Sequence, residues 1–107
     1  MPPGFKKIKE FVLGIQYDLS FSYVTPTQMR RAMKYKKSRP KKVSNVLSFP
    51  YTKVSGEILI CKSAAKPYTL GYLFIHGCLH LKGLTHSATM EREESRILKK
   101  FGLRAHE

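Results

Sequence analysis

The segment that most constrains this chain is His76–His86, which reads HGCLHLKGLTH. His76 and His80 are four apart, so on a helix their imidazoles project from one face about one turn apart. Gly83 lets the chain leave that helix sharply, and His86 then returns from the following segment. The spacing therefore demands a helix over about Leu70–Lys82, a stop at Gly83 and a fold-back. Three of the four histidines in the chain fall within these eleven residues. Three neutral imidazoles with an open fourth position are a typical catalytic zinc arrangement, although the same donors also suit nickel and copper. Cys78 is a poor fourth ligand, because two positions along a helix point the opposite way. The spacing is that of a metzincin-like HxxxHxxGxxH site, with one difference. A zinc peptidase carries Glu directly after the first His as its base, and here that position is Gly77.

The remaining elements must fit around this helix within 107 residues, the size of one domain spanning 1–107. Met1–Gly4 reads as a frayed end. Two β-rich runs follow, Phe11–Tyr17 and Leu19–Val24, the second alternating with Leu19, Phe21 and Tyr23 on one face. Thr25-Pro26 opens a helix, with Thr25 as cap, Pro26 at the first position and Gln28 three after the cap. That helix runs through Met29 and Met33 toward Tyr35. Val46–Phe49 is a short apolar run closed by Pro50, and Glu57–Cys61 reads as a buried strand. Lys62–Thr69 reads as a connection with room for one helical turn. A last helix starts near Ala88. Its acids Glu91, Glu93 and Glu94 sit early and Lys99 and Lys100 late, which suits the helix dipole. The order of elements gives an α/β or α+β domain with one small sheet.

Charge narrows the partner. Lys and Arg number 20 against 7 Asp and Glu, a formal net charge of +13. Such an excess points to a polyanion, nucleic acid first and an anionic membrane surface second. It is concentrated in Arg30, Arg31, Lys34, Lys36, Lys37, Arg39, Lys41 and Lys42, a run without an acid. With no acidic partners inside the run, these cations are assigned to RNA or DNA contact, and Tyr35 offers a surface for stacking a single-stranded base. The longest apolar stretches fall well short of the ~20 residues that span a bilayer. The N-terminal lysines precede an apolar run too short for a secretory signal, and Cys61 and Cys78 form no disulfide framework. A cytoplasmic protein is expected.

The chain resembles the YbeY family of bacterial rRNA maturation endoribonucleases. The family hallmark H-G-x-L-H-L-x-G-[YF]-D-H is matched by His76, Gly77, Leu79, His80, Leu81, Gly83 and His86. A second block, T-[DN]-V-L-S-F-P, is matched by Asn45 through Pro50, with Ser44 for Thr. A third, G-D-I-x-I-C, is matched by Gly56, Ile58, Ile60 and Cys61, with Glu57 for Asp. The resemblance implies an α+β domain with a small mixed sheet flanked by helices and one zinc per chain on His76, His80 and His86. It implies a single-strand-specific endoribonuclease acting on the 3′ end of small-subunit ribosomal RNA and in ribosome quality control, with no DNA or membrane partner. Three departures stand out. Thr85 replaces the Asp before the third histidine, a position suited to orienting a ligand. Lys36 follows Tyr35 where the family has Arg, with Arg39 as the alternative equivalent. The chain is also shorter than typical members, chiefly toward its two ends.

In that reading a zinc site acidifies water toward neutral pH. Lys36 or Arg39 would stabilise the charge developing on phosphorus, and Ser48 would position substrate or make a strand hydrogen bond. Phosphate contacts fall to Arg30, Arg31, Lys34, Lys37, Lys41 and Lys42. Two rival readings are a non-catalytic RNA- or ribosome-binding factor with a structural metal, and a metal-dependent peptidase, which lacks its base at position 77.

Overall fold

The computed structural model describes residues 1–35 and 44–107. Its elements run α1 (Phe5–Leu13), β1 (Asp18–Tyr23), α2 (Pro26–Met33), β2 (Val46–Thr52), β3 (Ser55–Ile60), a single 3-10 turn (Lys62–Ala64), α3 (Leu70–Leu81) and α4 (Ala88–Phe101). The sheet order is β1-β3-β2, with β1 parallel and β2 antiparallel to β3. This is the expected small mixed sheet.

The first structured segment corrects the sequence reading. Phe11–Tyr17 is not a strand: it is the end of α1 followed by a turn. Phe5, Ile8 and Val12 recur at helical spacing and are buried, and Phe5 stacks on Phe74 with ring centroids 4.2 Å apart. Gly14, at φ +97°, ends the helix in a conformation that favours glycine. The Lys9 Nζ donates to the Ile15 carbonyl at 3.1 Å, tying down the chain as it leaves.

Two clusters share the sheet between them. Ile58 and Ile60 point toward α1, α3 and α4, where they meet Phe74, Ile75, Cys78 and Leu79. Leu59 and Cys61 point the other way, onto Met29 and Met33 of α2. That period-2 division explains the continuous apolar run of β3: it is the central strand, covered on both faces. The capping box at Thr25 forms as expected, with the Gln28 amide donating to Thr25 Oγ1 at 3.2 Å and the Thr25 amide donating to Gln28 Oε1 at 2.9 Å.

β2 does not stop at Pro50 but continues to Thr52. It is an edge strand, so a residue lacking an N–H is tolerated there. No helix among the described residues is long and apolar enough to cross a membrane.

Candidate metal centre

α3 is capped by Thr69, whose Oγ1 accepts from the Tyr72 amide at 3.1 Å. The C-terminal end of this helix carries the chemistry. Lys82 is the last residue with helical angles and Gly83 follows at φ +108°. The Leu84 amide donates to the Leu79 carbonyl at 3.0 Å and the Gly83 amide to the His80 carbonyl at 3.0 Å. These two bonds define a Schellman stop, as the glycine foretold. The turn also aims the Leu84 carbonyl back at the helix, where it accepts from His80 Nδ1 at 3.0 Å.

His76 is held from the other side. Its Nδ1 lies 2.5 Å from Glu94 Oε2 of α4. A carbonyl and a carboxylate only accept, so Nδ1 carries the proton on both rings. Each ring therefore turns its Nε2 lone pair inward, and the two Nε2 atoms lie 3.1 Å apart. Two lone pairs so placed repel unless a cation lies between them. His86 completes the group, and one ring nitrogen from each of the three histidines falls within 4.8 Å of the others. Tetrahedral zinc with Zn–N of about 2.0–2.1 Å places its ligand nitrogens roughly 3.3 Å apart. The donor types suit a divalent transition metal, and the His76–His80 separation of 3.1 Å is close to that spacing. Among the described residues the cluster contains no fourth protein ligand, so a metal held by the three histidines would be open to a further ligand from the cleft.

Glu94 is the residue that sequence reasoning missed. Its early place in α4 suits the helix dipole, yet it is buried at 6% relative exposure. Its signal was its register: Glu94 stands with Met90, Ile97 and Leu98 on the buried face of α4. A carboxylate on an apolar stripe requires a partner, and His76 is that partner. Glu91, by contrast, is exposed. Burial first, then the charge and hydrogen bonding of Glu94, push the Tyr72 hydroxyl to about 12.

The histidines open onto a cleft of about 540 Å³, whose other wall is Asn45 and the β2 residues Val46, Leu47, Ser48 and Pro50. Ser48 is buried and its Oγ donates to the Gly77 carbonyl at 3.1 Å, pinning α3 to the strand. Gly77 leaves room for that approach. A Cβ there would sit 3.1 Å from both Ile58 Cδ1 and Ser48 Oγ. The position a peptidase fills with glutamate is here packed against the sheet. Cys78 is buried on the core side of α3, and burial pushes its thiol upward. Thr85 lines the cleft and is exposed, its carbonyl accepting from Ser87 Oγ at 3.1 Å.

Arg30, Arg31 and Lys34 are exposed on and just after α2. Lys36, Lys37, Arg39, Lys41 and Lys42 lie outside the described residues.

A helix-borne histidine pair, a third histidine after a glycine stop, and a buried carboxylate behind the first ring define the class: a domain with a three-histidine cluster that could hold a metal ion at an open cleft. The chain belongs to the Endoribonuclease YbeY family, whose family model matches residues 5–102. A protein named Endoribonuclease YbeY from Sulfurimonas denitrificans is 43% identical, with 58% of this chain and 57% of the relative covered. A protein of the same name from Rubrobacter xylanophilus is 42% identical, covering 48% of this chain and 40% of the relative. A third from Polynucleobacter asymbioticus is 35% identical, covering 55% and 50%. The chain thus spans about half the length of the curated relatives it matches.

Proposed function

We propose that this protein is a metal-dependent endoribonuclease that cuts single-stranded RNA, with zinc held by His76, His80 and His86. The observation that carries this reading is the pair of inward-facing Nε2 atoms, 3.1 Å apart, at the floor of an open cleft in a protein of charge +13. A divalent ion there supplies Lewis acidity toward a phosphodiester and lowers the pKa of water. The protein's own groups set the rest. Glu94 and the Leu84 carbonyl hold the Nδ1 protons, fixing which nitrogen faces the cleft. Ser48 and its strand form the wall against which the substrate lies. Arg30, Arg31 and Lys34, with Lys37, Lys41 and Lys42, hold the phosphate backbone. Lys36 or Arg39 neutralises charge at the scissile phosphate, with Arg39 the better match for bidentate contact. The substrate we assign is ribosomal RNA, near the 3′ end of the small-subunit RNA, cut in the cytoplasm during ribosome maturation and quality control.

The test is cleavage of labelled single-stranded RNA, duplex RNA and casein by metal-free and zinc-loaded protein. Zinc-dependent cutting of single strands alone is expected, and uncut RNA under every condition would overturn the reading. A non-catalytic binding factor with a structural metal is the second reading, favoured by Thr85 in the cleft wall where the resembling family has Asp. It would retain RNA without cutting it. Casein cleavage would instead indicate a peptidase, a reading disfavoured by the packing of Gly77 against Ile58 and Ser48.

A further inference from the structure

The side chains of β2 serve two different surfaces. Val46, Leu47, Ser48 and Pro50 line the metal cleft. Phe49 and Tyr51 line a second groove of about 390 Å³ on the other face of the sheet, together with Ala32, Tyr35, Glu57 and Leu59. Tyr35 is 84% exposed and Tyr51 62% exposed, so both rings are accessible to a ligand. The Tyr51 hydroxyl donates to Glu57 Oε1 at 2.5 Å, which fixes the ring at the lip of the groove.

We propose that this groove is a nucleobase subsite for single-stranded RNA whose backbone crosses the β2 edge from the metal cleft. The inference rests on RNA being the substrate. Three observations select this occupant. The lining is aromatic and aliphatic with one carboxylate, which suits a flat base and repels a phosphate. Arg31 and Lys34, the sequence neighbours of the lining residues Ala32 and Tyr35, are exposed, so positive charge lies on the same stretch of chain and charge complementarity favours a polyanion. And β2 is an edge strand, so a strand of RNA passes from one surface to the other around one polypeptide segment. Tyrosine rings hold bases of any sequence by stacking. Glu57 adds a preference, because a carboxylate accepts from base amino groups. The groove therefore favours a base with an exocyclic amine over uracil.

The experiment uses the full chain without metal, so that no RNA is consumed. A short single-stranded RNA bearing 2-aminopurine is titrated with wild type, Tyr51→Ala, Tyr51→Phe, Tyr35→Ala and Glu57→Gln, each checked for an unchanged melting transition. Stacking in the groove quenches the probe. Tyr51→Ala and Tyr35→Ala should each weaken binding by about 5-fold or more and restore fluorescence, Tyr51→Phe should retain both, and Glu57→Gln should reduce the preference for adenine-rich over uracil-rich RNA. Wild-type binding with the same affinity and quenching in both alanine variants would overturn the groove alone. No RNA binding by wild type would overturn the nuclease reading and the groove together. Alanine variants that change only the sedimentation of RNA-free protein would overturn the proposal by assigning the groove to a second copy of the chain.

Discussion

His76 donates its Nδ1 proton to Glu94 across 2.5 Å, joining α3 to α4 directly behind the metal-facing nitrogen. The carboxylate is buried, so the contact is shielded from water and salt. A buried carboxylate behind a ligating histidine fixes the ring orientation and raises ligand basicity.

Glu94→Ala should therefore lower zinc affinity by roughly 10–100-fold, with Glu94→Gln intermediate because it keeps an acceptor but loses the charge. Competition against a calibrated chelator at one pH measures this. Affinity equal to wild type in Glu94→Ala would show that His76 needs no such support. The same assay applied to Thr85→Asp should give little or no gain, since the supporting carboxylate is already supplied by α4.

Gly83→Ala isolates the turn. A Cβ at this position meets nothing within 4 Å, and the cost comes only from φ +108°. The loss should be about 1–2 kcal/mol in chemical denaturation. Because Leu84 holds His80 through that turn, zinc affinity should fall as well. Lost stability with unchanged zinc affinity would separate the turn from the metal centre.

How much of this was legible in the sequence follows from the range over which each signal acts. The α3 stop at Gly83 and the Thr25 capping box are local, written within a few residues, and both formed as read. The histidine cluster was legible because helical spacing and one glycine bring its members together. α1 is hidden by adjacency: Phe11 to Ile15 is locally apolar and resembles a strand, and only the helical period Phe5, Ile8, Val12 distinguishes it. The role of Glu94 is not local, because its partner is 18 residues away on another helix. Only the register of α4 against α3 brings the two together. The continuation of β2 through Pro50 likewise depends on its being an edge strand, a fact of topology.

Stability should fall in alkali through Cys78. Burial raises this thiol's pKa in the folded chain, so folding favours the protonated form. The stabilisation is complete below the ordinary thiol pKa of about 8.5. Above it the unfolded chain releases a proton that the folded chain keeps, and stability declines by up to about 1.4 kcal/mol per pH unit. Denaturation of wild type and Cys78→Ala from pH 7 to 10 should show a steeper decline in wild type. Parallel slopes would contradict the burial of the thiol.

Arg30, Arg31 and Lys34 are predicted to touch phosphate. Replacing all three by Gln should lower RNA affinity and reduce the slope of log K against log salt by about two, at roughly 0.7 per single-strand contact. Fluorescence titration between 50 and 300 mM salt, about the range over which phosphate contacts are screened, measures it. An unchanged slope would place these cations in solvent.

The most direct test of the account is reconstitution of the metal-free protein with zinc, following single-stranded RNA cleavage as the metal is added. Cleavage should rise linearly, reach its plateau at one equivalent per chain, and be absent at every zinc level in His76→Ala, His80→Ala and His86→Ala. Cleavage by the metal-free protein, or zinc-dependent cleavage surviving in the histidine variants, would contradict it.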